Sequence, residues 1–223
     1  MSEQNFDLYR DIAKRTDGDV YIGVVGPVRT GKSTLISRMM EELVLSRMAA
    51  GPRRERLTDE LPQSGSGKTI MTTQPKFVPS EAVSVTLDDQ SSVRVRMVDS
   101  VGYLVEGALG TEEDGASRMV HTPWFDYDIP FEQAAEIGTR KVITDHATIG
   151  LVVTTDGSIA DLSREAYQPP EERVVRELKE IGKPFILILN SRHPDAEETL
   201  ALRQRLSERY GVPALSLNVK EMG

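Results

Sequence analysis

The sequence predicts an α/β domain built on a mostly parallel, buried central sheet flanked by helices. Three observations predict it. Short apolar runs rich in Val, Ile and Leu alternate with longer stretches of helical period, the pattern of repeated βα units. A length of 223 residues suits one sizeable core rather than two small ones. Helix ends carry Pro and Gly in the expected order: Pro169 and Pro170 suit a first turn, Gly182 and Gly211 suit C-terminal caps, and Pro184 and Pro213 lead into the next strands.

Taken in chain order, a helix is expected over about Phe6 to Arg15, then the strand VYIGVVG from Val20 and a helix after Gly31. Strands VSVTL from Val83 and VRVRMVD from Val93 follow, then a helix from Phe131 to His146 and the strand IGLVVTT from Ile149. A helix from Pro169 to Gly182, the strand FILILN from Phe185, a helix from Pro194 to Tyr210 and the strand ALSLNV from Ala214 complete the pattern. Two irregular regions remain, roughly Ala49 to Ser80 and Gly102 to Pro130. Compact domains seldom carry such loops without use, so both are expected to be mobile segments around a ligand or partner.

Composition removes several function classes. A formal charge of -8 argues against nucleic acid or anionic lipid as the overall partner. No cysteine is present, which excludes disulfides, thiolate metal sites and thiol nucleophiles and fits a reducing compartment. No apolar run approaches the ~20 residues of a membrane span, and the polar N-terminus has no apolar core segment, so a cytoplasmic location is expected. His121, His146 and His193 have no metal-binding spacing.

The strongest motif runs from Gly26 to Ser33, GPVRTGKS, a match to GxxxxGKS/T. It follows an apolar strand and opens a helix, so backbone N–H groups and the helix N-terminus can converge on phosphate oxygens. A glycine turn that merely ends in Lys-Ser is the bland alternative. Gly26, Arg29, Thr30, Gly31, Lys32, Ser33 and Thr34 are expected to line a nucleotide, with Lys32 reaching the β and γ phosphates and Ser33 supplying a hydroxyl to Mg²⁺. A second GKT at Gly67, Lys68 and Thr69 fails as a phosphate loop, because Pro62 stands where the first glycine belongs and no strand precedes it.

The strand VRVRMVD ends in Asp99, and Gly102 follows three residues later in a DxxG pattern. Asp99 could bind Mg²⁺ through water, and the Gly102 N–H could meet the γ phosphate. Thr72 and Thr73 lie in the interval where a switch NTPase carries its sensor threonine, with Thr72 a candidate metal ligand. Lys32, Thr72, Thr73 and Asp99 are the catalytic candidates. Together the motifs specify a three-layer P-loop NTPase of the GTPase-like class.

The base site departs from the guanine pattern NKxD. After FILILN come Asn190, Ser191, Arg192 and His193, so a histidine stands where guanine recognition needs a carboxylate, and Asp195 lies two residues late. This points to ATP, with Asn190 as a nucleotide contact. Tyr103 occupies the position where many GTPases place the glutamine that orients water, so hydrolysis must be assisted otherwise. Candidates are Thr72 and Thr73, Lys68, a cation delivered in trans, or one of Arg29, Arg53, Arg54, Arg56 and Arg118; a solvated surface charge is the competing reading for each arginine.

Over nearly its whole length the chain resembles the N-terminal nucleotide-binding domain of the stage IV sporulation protein A family, spore coat ATPases that look like translation-factor-class GTPases turned to ATP. The runs that carry this are GVVGPVRTGKST, DELPQS with GKTIMTTQPKFVP, VRMVDSVGY, HTPWF, IPFEQAAEIGTRKVI, TIGLVVTTDGSI, EERVVRELKEIGKPF and LILNS. The resemblance implies Mg-dependent ATP hydrolysis coupled to self-assembly of a spore coat basement layer on the mother-cell side of the outer forespore membrane. It implies Lys32 in the phosphate loop, Asp99 in the metal strand, and Thr72 with Thr73 as sensors. It also implies self-association, contact with a small amphipathic membrane-associated spore peptide and with other coat proteins, and middle and C-terminal assembly domains that this chain does not include. A GTPase of the ribosome-assembly type and a non-hydrolysing nucleotide-binding scaffold are the alternatives. The cluster HTPWFDYDIP, which holds Trp124 and Phe125, reads either as a contact surface or as aromatic packing against the sheet.

Overall fold

A computed structural model of the chain describes residues 19–62, 74–86, 92–108, 110–113 and 115–222. The helix expected over Phe6 to Arg15 lies outside them, as do Lys68, Thr72 and Thr73. Six strands form the central sheet: β1 (Asp19–Val25), β2 (Lys76–Thr86), β3 (Ser92–Asp99), β8 (Ile149–Thr155), β9 (Phe185–Asn190) and β10 (Ala214–Leu217), in the order β10-β9-β8-β1-β3-β2. All neighbours are parallel except β2 and β3, which pair antiparallel with a register shift between Val78 and Val83.

The apolar runs become strands because both faces of the sheet are covered, so each run buries alternate residues to opposite sides. Val24, Val78 and Met97 face the cluster under α1 (Lys32–Leu43), with its Ile36 and Met40. Val25, Val98, Val152 and Leu187 face the other layer, with Val174 and Leu178 of α4 (Arg164–Glu180) and Leu206 of α5 (Glu197–Tyr210). Each such side chain taken out of water contributes roughly 1.5–3 kcal/mol. The order places β1 between β3 and β8, so the chain leaves β1 toward one side and returns on the other. That switch point, at the carboxyl ends of the strands, is where open α/β sheets hold ligands.

The structure corrects several expectations. The region Ala49 to Ser80 is not irregular throughout: it holds α2 (Pro52–Glu60) and the first residues of β2. That helix buries Leu57 alone and is otherwise polar, so it shows no periodic stripe. The helix expected from Pro169 begins at Arg164, with both prolines inside it. They remove two N–H donors, and packing holds the first turns instead, through fully buried Tyr167 and the paired Arg164 and Glu171, whose Nη1 and Oε2 are 2.7 Å apart. Gly182 does adopt the left-handed cap, with φ 66°, and its N–H donates to Lys179 O. The helix expected from Pro194 begins at Glu197.

Gly102 to Pro130 contains two short antiparallel ribbons, β4 (Glu112–Glu113) with β5 (Ala116–Ser117), and β6 (Met119–Val120) with β7 (Ile129–Pro130). They lead into α3 (Phe131–Lys141) and a π-helical turn, Val142–His146. Trp124 packs on α3: a Cβ at Gly138 would lie 3.1 Å from its Cη2, and Lys141 Nζ sits 5.9 Å from its ring centroid. Among the described residues no helix is long and apolar enough to cross a membrane.

Candidate functional site

The loop between β1 and α1 is held by its own hydrogen bonds. Thr30 Oγ1 donates to Pro27 O at 3.0 Å, and Lys32 Nζ donates to the same oxygen at 2.7 Å. Arg29 takes the left-handed conformation, φ 62°, which a non-glycine residue adopts only at a cost of order 1–3 kcal/mol. Gly31 has φ 91°, and a Cβ there would lie 2.5 Å from Asn190 Nδ2. Its carbonyl accepts the first helical bond, from Leu35 N at 2.8 Å, and Thr34 lies in that first turn. The first-turn N–H groups of a helix have no partner within the helix, and with the aligned peptide dipoles they favour an anion.

Burial makes the charges here costly, which suits a site that waits for an opposite charge. Lys32 is 5% exposed, and burial lowers its amine to about 8, partly offset by Asp99. Asp99 is 2% exposed, and burial pushes its carboxyl up, opposed by the Ser33 hydrogen bond and by Lys32. Ser33 Oγ donates to Asp99 Oδ2 at 2.6 Å, while Asp99 Oδ1 is buried without a partner among the described residues. A hydroxyl and an orphaned carboxylate oxygen, side by side at the phosphate loop, are the hard oxygen donors that Mg²⁺ takes together with phosphate oxygens. No group of three or more His, Cys, Asp or Glu that could hold a metal by itself occurs among the described residues.

Gly102, φ 98°, passes so close that a Cβ would lie 2.5 Å from both Lys32 Nζ and Gly26 O. Its N–H donates to Thr139 Oγ1 of α3 at 2.9 Å. Tyr103 joins the loop through its backbone, accepting from Val28 N at 2.9 Å. Its side chain turns away: the hydroxyl donates to Glu177, and the Arg173 guanidinium lies 4.1 Å from the ring centroid. Burial and Glu177 push the phenol's pKa up, so it stays a proton donor tied to α4.

Asn190 braces the site. Its Nδ2 donates to Thr30 O at 3.0 Å and its Oδ1 accepts from Val219 N at 3.1 Å, so the amide ties the phosphate loop to the segment after β10. The structure thus gathers Gly26, Arg29, Thr30, Gly31, Lys32, Ser33, Thr34, Asp99, Gly102 and Asn190 around one loop. Thr72 and Thr73 lie outside the described residues. Arg53, Arg54 and Arg56 are exposed on α2, and Arg118 lies 5.2 Å over the Phe131 ring.

Sequence reasoning missed Thr139. Nothing in the pattern GTRK distinguishes a residue that serves this site from an ordinary helix threonine.

A family model described as "Stage IV sporulation protein A, ATPase domain" matches residues 3–223. The chain is 57% identical over 218 residues to Stage IV sporulation protein A of Clostridioides difficile (strain 630), covering 98% of this chain and 44% of that protein. It is 55% identical over 219 residues to the protein of that name from Bacillus subtilis (strain 168), with the same coverage of 98% and 44%. The chain therefore spans less than half the length of these relatives. A crystal structure of an SsGBP variant aligns with 95% of this chain and 52% of its own at 15% identity and a TM-score of 0.45, too weak a likeness to carry weight.

Proposed function

The chain belongs to the family of the Stage IV sporulation protein A ATPase domain, and from that premise we propose that it binds Mg–ATP at the loop from Gly26 to Thr34 and hydrolyses it. The observation that carries this reading is the cluster of buried Lys32 and Asp99 with half-buried Ser33, in which Ser33 Oγ lies 2.6 Å from a carboxylate whose other oxygen has no partner among the described residues.

In this reading Lys32 and the loop N–H groups hold the β and γ phosphates. Ser33 and Asp99 hold the magnesium, which when bound neutralises phosphate charge. Gly102 gives its N–H to the γ phosphate in exchange for Thr139, and Thr72 and Thr73 sense that phosphate from the neighbouring loop. Tyr103 orients no water, because its hydroxyl is committed to Glu177. Turnover is accordingly slow until a cation arrives, from Lys68, Arg29 or a second copy. The energy of hydrolysis drives self-assembly of the spore coat basement layer, peripheral to the outer forespore membrane on its mother-cell side. A small amphipathic membrane-associated peptide and other coat proteins are its further partners.

The test is ATP turnover by the purified chain with and without Mg²⁺, beside Lys32→Ala. Slow, Mg-dependent release of phosphate that the variant loses is the expected result; undiminished turnover by the variant would sink the reading. A nucleotide-holding scaffold is the second reading, favoured by the docking of Tyr103 away from the phosphates. ATP bound tightly but never cleaved, even at high protein concentration, would select it.

A further inference from the structure

The carboxylate of Asp156, just beyond the C-terminal end of β8, anchors the loop that follows β9. Its Oδ2 accepts hydrogen bonds from Ser191 Oγ at 2.6 Å and Thr199 Oγ1 at 3.3 Å. Its Oδ1 accepts from Ser158 N at 2.9 Å and Ser158 Oγ at 2.6 Å. The two serine hydroxyls pass the constraint on: Ser191 Oγ accepts from His193 N at 3.0 Å, and Ser158 Oγ accepts from Arg192 N at 3.0 Å. Three successive residues, Ser191, Arg192 and His193, are thus placed by one carboxylate just past the end of the neighbouring strand. Burial would push that carboxyl up, yet the hydrogen bonds from Ser158 and Ser191 hold it below the ordinary range, so it stays ionised.

This loop adjoins the phosphate cradle through Asn190 and Thr30, at the strand ends where an open α/β sheet holds its ligand. Guanine recognition needs a carboxylate that accepts from two base N–H groups. Asp156 accepts from five donors, Thr155 Oγ1 at 3.5 Å being the fifth, and cannot also serve a base. Asp195 sits within a turn closed by Ala196 N donating to His193 O at 3.1 Å, and the residue at the guanine-reading position is His193. We infer that Asp156 is the positioning residue that sets purine selectivity, by fixing residues 191–193 in the shape that admits adenine and by keeping Asp195 from the guanine-reading place. The inference rests on the ATP reading of the site.

Titration of the full chain with a fluorescent ATP analogue, displaced by ATP, GTP and inorganic tripolyphosphate, separates the base loop from the phosphate cradle. In Asp156→Asn the carboxylate's hydrogen bonds weaken, so ATP should bind about ten-fold more weakly, with a smaller ATP-to-GTP preference and unchanged affinity for tripolyphosphate. Ser191→Ala should move both ratios the same way by less, and decides alone if Asp156→Asn does not fold. Equal losses for ATP and tripolyphosphate would make Asp156 merely structural and overturn the inference, as would an unaltered ATP-to-GTP preference in the variants. If the unmodified chain binds tripolyphosphate as tightly as ATP, the base contributes nothing and the inference falls while the phosphate site stands. Failure of the unmodified chain to bind either ligand would remove the nucleotide reading first, and the inference with it.

Discussion

The N–H of Gly102 donates a 2.9 Å hydrogen bond to the hydroxyl of Thr139, a fully buried residue of α3. A γ phosphate that takes this N–H must displace that hydroxyl, so the two acceptors compete for one donor.

Thr139→Val removes the competitor and leaves a buried N–H unpaired, at a cost of about 1–3 kcal/mol. The free variant should melt several degrees lower than the unmodified chain, since ~1 kcal/mol shifts Tm by about 2–4 °C at this size. Saturating Mg–ATP should restore the lost partner, so the ATP-induced rise in Tm should be larger in the variant, whereas ADP should give no such excess. Thermal shift with each nucleotide reads both effects.

Lys32 supplies a pH signature. Burial lowers its folded pKa from 10.5 to about 8. Between those values the unfolded chain holds a proton that the folded chain has released, so stability should rise with pH across that window, by on the order of 3 kcal/mol. Below about pH 8 both states are protonated, and the buried charge costs its full amount. Lys32→Met should lack this rise, and the difference between the two Tm profiles from pH 7 to 10.5 isolates the site. Bound triphosphate should flatten the unmodified profile by restoring the amine's pKa.

For Tyr103→Phe the expected change in turnover at saturating ATP is less than about three-fold, because the lost hydroxyl faces Glu177 of α4 rather than the phosphates. A water-orienting or acid-base role would instead cost roughly 10²-fold or more. Stability should fall by about 1 kcal/mol through the lost hydrogen bond. Single-turnover rates beside a urea melt separate the two.

Glu171 is fully buried and accepts from Arg164 Nη2 at 2.8 Å, Tyr210 OH at 2.7 Å and Thr154 Oγ1. One carboxylate therefore joins β8, α4 and α5. Arg164→Met strips the charge partner and should destabilise the chain by roughly 3–5 kcal/mol. Tripolyphosphate affinity should hold at temperatures where the variant stays folded, because the hydrogen bonds of this pair run to Thr154 and Tyr210 rather than to the phosphate loop. Denaturant melts give the first quantity and displacement titration the second.

Much of the fold was legible because its signals are local. The apolar runs at Val20, Ile149 and Phe185, the glycine caps and the GPVRTGKS loop each state their structure within a few residues. The helix α2 is not legible in the sequence because burying only Leu57 leaves no stripe to read. The start of α4 differs from the expected one because prolines usually mark a first turn, and here the Arg164–Glu171 pair and buried Tyr167 outweigh the lost backbone bonds. In the site, Lys32, Ser33 and Asp99 could be named in advance since their motifs have fixed spacing. Thr139 could not, because its role depends on where a helix packs 37 positions from Gly102.

By itself the sequence determined most of the sheet's strands and the GPVRTGKS loop, since backbone geometry and residue chemistry over short spans suffice for each. Only the tertiary structure decided which hydroxyl holds Gly102, that Tyr103 docks on α4, and that Asp156 places the loop from Ser191 to His193. Those pairings join residues 37, 74 and 35 positions apart. They form because packing the helices onto the sheet removes water from polar groups that must then find one another.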